Sequence, residues 1–231
     1  VNRLHIASSR QAVRAESISA LFNLPTYLRN MNCAKRHIVF FMICLFIIVF
    51  TSCNSRKPLF TEVSSSESNI NFINRPAKND HLNILYYIYY YNGGGVSVGD
   101  MNNDGLPDIY FTATNKSDNK LYLNKGEFVF EDITDKANVA GSTDWCSGVT
   151  MADVNGDGFL DIYVSAVANY SGLKGHNELF INNGNSTFTE SAAEFGLDLP
   201  GLSTQAAFFD YDHDGDLDCY ILRHSTRPHA N

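Results

Sequence analysis

The chain has 231 residues, 44% of them hydrophobic and 18% charged, with 17 basic against 25 acidic side chains and a net charge of −8. This composition excludes a disordered or collagen-like polymer, and the acidity excludes nucleic acid as a partner, because the phosphate backbone requires clustered Lys and Arg. Five cysteines, none at C-x-x-C spacing, are too few for a disulfide scaffold.

In chain order, residues 31–53 are the first segment with a legible physical pattern. A basic start (Lys35, Arg36) leads into thirteen uncharged, mostly large apolar residues from Ile38 to Phe50, then Thr51-Ser52-Cys53. A basic flank, a short apolar core and small residues before a cut site are the parts of a secretory signal. The core is too short to span a bilayer, which needs about 18 to 20 apolar residues. The Thr-Ser-Cys ending resembles the lipobox of bacterial lipoproteins. That resemblance implies a signal peptide over 31–52, lipidation of Cys53 and anchoring to a membrane by the attached lipids.

An export signal works at an N-terminus, so translation is expected to begin at Met31, with residues 1–30 an upstream extension outside the fold. From Cys53 onward 11 basic and 24 acidic residues remain, a net charge of −13. Residues 53–80, rich in Ser, Asn, Lys and Arg, read as a tether and lead-in. A bridge between Cys146 and Cys219 is possible but not indicated by their positions.

Beyond residue 80 a repeat emerges, and it sets the architecture. Three segments align without gaps: Asp100-Met-Asn-Asn-Asp-Gly-Leu-Pro-Asp108, Asp153-Val-Asn-Gly-Asp-Gly-Phe-Leu-Asp161 and Asp210-Tyr-Asp-His-Asp-Gly-Asp-Leu-Asp218. A second landmark recurs with them, Asn119-Lys-Leu-Tyr-Leu-Asn124 against Asn177-Glu-Leu-Phe-Ile-Asn182, each followed by Gly and Phe. Strands are expected before each acidic loop (Gly148–Ala152, Ala206–Phe209) and after it (Ile109–Ala113, Ile162–Ala166). A third ends at the Asn-x-Gly turn, and a fourth lies around Phe128 to Phe130 or Phe188. Four short antiparallel strands per unit make a propeller blade, so the fold class is all-β. Asp135–Ala140 and Glu190–Gly196 are expected to form a helical turn or two between blades. The aromatic run Tyr86–Tyr91 reads as a packed strand.

The loop spacing has a mechanical rationale. Ca²⁺ takes six to eight oxygens, and a curled loop can present side chains at positions 1, 3 and 5, a carbonyl at 7 and a closing carboxylate at 9. Glycine at position 6 permits the sharp turn. The expected ligands are Asp100, Asn102, Asp104, Leu106 (carbonyl) and Asp108; then Asp153, Asn155, Asp157, Phe159 (carbonyl) and Asp161; then Asp210, Asp212, Asp214, Asp216 (carbonyl) and Asp218. An EF-hand would need Glu at position 12. Phe111, Val164 and Ile221 stand there, so that reading fails.

These loops and their strands resemble the FG-GAP, or VCBS, repeats of integrin α-subunit propellers and bacterial surface proteins. The longer match, with Tyr91-Asn-Gly-Gly-Gly-Val96 and the Leu-Tyr-Leu-Asn-x-Gly landmark, resembles the group that includes cartilage acidic protein and ASPIC/UnbV proteins. The resemblance implies structural Ca²⁺ in the loops and exposed propeller faces used for binding. Residues 81–231 then form an incomplete propeller of two blades and part of a third, within a longer protein. No G-x-S-x-G, H-E-x-x-H or G-x-x-x-x-G-K occurs, Gly93-Gly94-Gly95 lacks nucleotide-loop spacing, and the histidines are scattered. The expected function is a non-enzymatic, exported, lipid-anchored module on the outer membrane or cell surface, contacting a protein or glycan. The alternative is an enzyme or its accessory subunit, with the active site in further blades.

Overall fold

The computed structural model describes residues 32–51, 58–76, 82–116 and 118–225. Contacts divide the chain into two units, Val1–Thr61 and Glu62–Asn231. In the first unit, helix α1 (Cys33–Thr51) covers the apolar stretch, whose Phe, Leu, Met and Ile residues include no Gly or Pro to interrupt it. Among the described residues no helix is long and apolar enough to cross a membrane. Cys53 and residues 1–31 lie outside the described residues, and with them the readings of lipidation, cleavage and an upstream extension.

The second unit opens with a single turn of helix, α2 (Ser65–Ser68). Its start is tied by Glu67, which accepts hydrogen bonds from Ser64 N–H at 3.0 Å and Ser64 Oγ at 2.8 Å. The chain then runs against the first sheet. Phe72 stacks on Phe111 with ring centroids 4.9 Å apart, and Asn74 Oδ1 accepts from Thr114 N–H and Oγ1 at 3.0 and 2.8 Å. The polar composition of this lead-in conceals the Asn74 anchor.

Among the described residues ten strands follow, in three sheets of sequential antiparallel neighbours. Blade 1 comprises β1 (Val96–Gly99), β2 (Asp108–Phe111), β3 (Lys120–Asn124) and β4 (Phe130–Asp132). Blade 2 comprises β5 (Cys146–Ala152), β6 (Asp161–Ala166), β7 (Glu178–Asn182) and β8 (Phe188–Glu190). The third sheet contains β9 (Ser203–Phe209) and β10 (Asp218–Arg223). The fold is all-β, a partial propeller of stacked blades. Helix α3 (Thr134–Ala137) forms after blade 1. After blade 2, residues 192–196 form hydrogen-bonded turns instead of helix, such as Leu197 N–H to Ala192 O at 2.8 Å.

Strand alternation assigns each residue to one blade junction. Tyr110, Leu121 and Leu123 of blade 1 pack with Val149, Ile162, Val164 and Phe180 of blade 2. The intervening residues of blade 2, Tyr163 and Leu179, turn to the other face and meet Ala206, Phe208, Cys219 and Ile221 of the third sheet. The tyrosine of each Asp-Ile-Tyr segment also closes its blade: Tyr110 Oη donates to Val139 O at 2.6 Å and Tyr163 Oη to Leu197 O at 3.1 Å. Cys146 and Cys219 are free thiols.

Hydroxyls bridge successive blades. Thr112 Oγ1 donates to Ser147 O at 2.7 Å, Ser147 Oγ to Ser203 O at 2.8 Å and Thr150 Oγ1 to Ala206 O at 2.6 Å. This closeness needs glycine at 148, where a Cβ would lie 2.2 Å from Thr204 O. Gly148→Ala is expected to destabilise the fold by about 2 kcal/mol through overpacking, read as a lower urea midpoint at unchanged m-value.

The aromatic run departs from expectation. Tyr86–Tyr91 forms turns, not a strand. Tyr87 and Tyr90, three residues apart, are buried with Leu82, Trp145, Val167 and Leu202, whereas Tyr86, Tyr89 and Tyr91 are exposed. A turn brings positions i and i+3 to one side, and burial of two tyrosines on a neighbouring blade outweighs the strand preference of the run.

Blade 2 also contains an ionisable group in its core. Glu178 replaces, in the repeat, the half-exposed Lys120, which pairs with Asp132 at 3.1 Å. Glu178 is buried, and its Oε1 accepts from Ser142 N–H at 2.6 Å and Oγ at 2.7 Å. Burial pushes its carboxyl above the ordinary value, against the pull of the Ser142 bonds. The folded state therefore holds a proton that the unfolded chain releases. The associated stability is full below the ordinary glutamate value of 4.5 and is lost as pH rises through the raised folded value. Glu178→Gln is expected to flatten that fall, so the variant gains on the wild type as pH rises above 4.5 in denaturant titrations. Parallel pH profiles would refute this assignment.

Candidate metal centre

Each acidic segment is the eight-residue connection of a hairpin joining the first two strands of its sheet. Gly99 pairs with Asp108, Ala152 with Asp161 and Phe209 with Asp218. Position 9 is thus the first residue of the outgoing strand, directly opposite the residue before position 1. The ladder itself brings the ends of each nine-residue pattern together.

Within the loops the same bonds recur. Asp100 Oδ1 and Oδ2 accept from the N–H groups of Asp104 (3.1 Å) and Gly105 (2.7 Å). Asp153 accepts from Asp157 (3.1 Å) and Gly158 (2.9 Å) in the same way. Asn102 and Asn155 Oδ1 accept from Asp104 and Asp157 N–H, both at 3.1 Å. The position-5 carboxylates of Asp104, Asp157 and Asp214 accept from Leu106, Phe159 and Asp216 N–H at 2.8, 2.9 and 3.0 Å. The glycine at position 6 has positive φ in all three loops: 86° at Gly105, 90° at Gly158 and 97° at Gly215. Position 4 is left-handed as well, at Asn103, Gly156 and His213, a requirement absent from the sequence reading.

Position 9 is a clasp. Asp108 Oδ2 accepts from Met101 N–H at 2.9 Å and its Oδ1 from Asn124 N–H at 2.8 Å. Asp161 repeats this with Val154 at 2.9 Å and Asn182 at 2.8 Å. Burial raises the pKa of both carboxyls, the N–H bonds lower it, and the neighbouring loop acids raise it further. In the third sheet, Asp218 Oδ2 accepts from Tyr211 N–H at 2.8 Å. No third strand is described there to supply the equivalent of Asn124 or Asn182, and Asp218 is exposed.

The loops therefore differ in how their acids gather. In the third, carboxylate oxygens of Asp210, Asp212 and Asp218 lie within 4.8 Å of one another. Asp210 Oδ1 is buried there without a hydrogen-bond partner. Such convergence of like charges, with an orphaned buried oxygen, is the arrangement a cation relieves. In the first two loops Asn occupies position 3, and among the described residues no comparable group of three acids forms there. All three donor sets consist of hard oxygens and fit Ca²⁺ by chemistry.

The landmark asparagines, read from sequence as turn residues, support these loops directly. Asn124 Nδ2 donates to Pro107 O at 3.0 Å, and Asn182 Nδ2 donates to Leu160 O at 3.1 Å and to Met101 O in the preceding blade's loop at 2.8 Å. Asn103 Nδ2 reaches Gly158 O at 3.0 Å, linking the first loop to the second. The recurrence of Asn at the Asn-x-Gly turn of both four-stranded blades was the available signal.

Hairpin loops of this kind on successive four-stranded blades define a repeat-built propeller protein. The FG-GAP-like repeat model matches residues 100–164 and 166–221, and the chain belongs to that family. It is similar to cartilage acidic protein 1 of Xenopus tropicalis, 32% identical over 147 residues, covering 62% of this chain and 21% of the relative. Human cartilage acidic protein 1 is 30% identical over 136 residues, covering 57% and 19%. The T-cell immunomodulatory protein homolog of Plasmodium yoelii yoelii is 28% identical over 134 residues, covering 53% and 19%. The chain spans about a fifth of the length of these relatives.

Proposed function

We propose that this chain belongs to a calcium-stabilised propeller that is exported, anchored by lipid at Cys53 to the outer membrane or cell surface, and used to bind a protein or glycan, not to catalyse a reaction. The observation that carries the calcium reading is the third loop, where three carboxylates converge around an orphaned buried oxygen of Asp210. Membership of the FG-GAP-like repeat family supports a binding module with loop-held ions. The short apolar segment before Thr51-Ser52-Cys53 supports export and anchoring. In this reading Asp100, Asp104 and Asp108, with their counterparts in the other loops, would hold Ca²⁺, and the ion would cross-link the start and end of each hairpin. Calorimetric titration of the EDTA-stripped chain with Ca²⁺ tests it. Saturable heat supports the reading, and absence of heat together with an unchanged melt overturns it.

A further inference from the structure

The acidic loops follow the C-terminal ends of β1, β5 and β9. At the N-terminal ends of the same strands lies a cleft of about 470 Å³, within the range of about 300 to 1,000 Å³ usual for small-molecule sites. Gly93-Gly94-Gly95 before β1 forms part of its wall, together with the starts of β5 and β9 and the end of β10. Two motifs without a role in the loops thus meet here, the glycine triplet and the tyrosine run.

One wall is aromatic. Tyr87 packs edge-on against Tyr89 and Trp145 at 5.8 and 6.0 Å, and Tyr89 lies 4.8 Å from His224. The buried Tyr87 Oη is 3.1 Å from His224 Nε2, and Tyr89, 43% exposed, presents the accessible ring. The facing wall is polar. Gln205 Nε2 is fixed by Val149 O at 3.1 Å and Thr150 Oγ1 at 3.0 Å. Arg223 Nη2 donates to Pro200 O, and a guanidinium has four further N–H donors. No Asp or Glu is among the described residues lining the cleft, although the chain as a whole is strongly acidic. The cleft is thus a locally cationic, aromatic-floored pocket in an anionic protein.

We propose that this cleft binds an acidic carbohydrate, a pyranose ring bearing a carboxylate. The apolar face of the ring stacks on Tyr89, the carboxylate takes a charge-assisted contact from Arg223, and a hydroxyl donates to Gln205 Oε1. Burial lowers the His224 pKa below its ordinary value of 6.5, so at neutral pH the ring is uncharged and the positive charge among the described lining residues is that of Arg223. A cationic ligand is disfavoured by Arg223. This inference deepens the binding-module reading and rests on it.

Trp145 is the only tryptophan in the chain, so its emission reports on this wall alone. The full, Ca²⁺-loaded chain is titrated with digalacturonate and with its neutral counterpart, galactobiose. The expected result is a saturable emission change with digalacturonate and at least tenfold weaker binding of galactobiose. Tyr89→Ala weakens both sugars at least tenfold. Arg223→Gln weakens only the uronate, and Arg223→Lys retains most of that affinity. An unchanged emission with both sugars, or binding that none of the variants alters, overturns the proposal. A glycan and protein array separates the two readings: retention of the chain on the array with a silent Trp145 sinks the cleft alone, and no retention sinks the binding module as well.

Discussion

EDTA is expected to lower the unfolding temperature of this chain by about 5–10 °C, and millimolar Ca²⁺ to restore it. The magnitude follows from mass action. A ligand that binds only the folded state at 100 times its dissociation constant adds about 2.7 kcal/mol, and a domain of this size shifts by about 2–4 °C per kcal/mol. The physical cause is relief of repulsion, largest in the third loop, where Asp210, Asp212 and Asp218 converge. Asp214→Ala removes a predicted ligand of that loop and reduces the Ca²⁺ increment, as Asp104→Ala and Asp157→Ala do for the other two. Mg²⁺ restores less, because it demands a smaller octahedral shell and loses its water reluctantly. Scanning calorimetry of the stripped chain with each metal is the measurement. Equal melting temperatures in EDTA, Mg²⁺ and Ca²⁺ would remove calcium from the account.

Asp161→Ala destabilises the fold strongly whether or not metal is present, in contrast to Asp157→Ala four residues earlier. Asp161 accepts the N–H groups of Val154 and Asn182 at 2.9 and 2.8 Å. Removing it leaves two donors without their acceptor, at about 1–3 kcal/mol each. The expected loss is therefore about 2–6 kcal/mol in EDTA and in Ca²⁺ alike. Asp157 is exposed and its bonds stay within the loop, to Phe159 N–H and Asn155 Nδ2. Its replacement is expected to alter stability little in EDTA and to reduce the increment gained from Ca²⁺. Urea titrations of both variants in both conditions separate the roles. Equal losses in EDTA would show that position 9 is not a clasp.

The contrast between these two aspartates marks how far the chain's chemistry is legible in one dimension. The nine-position pattern names both as candidate ligands, because spacing reports which oxygens can reach a common centre. It does not report which of those oxygens already accept a buried N–H. That depends on whether a third strand lies alongside, as β3 and β7 do for Asp108 and Asp161 but no described strand does for Asp218. Asn124 and Asn182 were readable as turn formers, whereas their hold on the loops needs partners 17 to 81 residues away.

Local chemistry was sufficient wherever a feature repeats. The loop glycines, the alternating apolar strands and the Asn-x-Gly turns are each dictated by backbone sterics or by a period of two, and three occurrences of the loop with two of the turn expose the blade. Only packing could decide the rest. The aromatic run Tyr86–Tyr91 has strand-forming residues, yet it turns, because burying Tyr87 and Tyr90 against Trp145 outweighs their strand preference. Glu178 and Lys120 hold the same place in the repeat, yet one is buried and the other is at the surface. Propensity and spacing act within a few residues, whereas burial and the supply of a hydrogen-bond partner are set by whichever strand or blade the fold lays alongside.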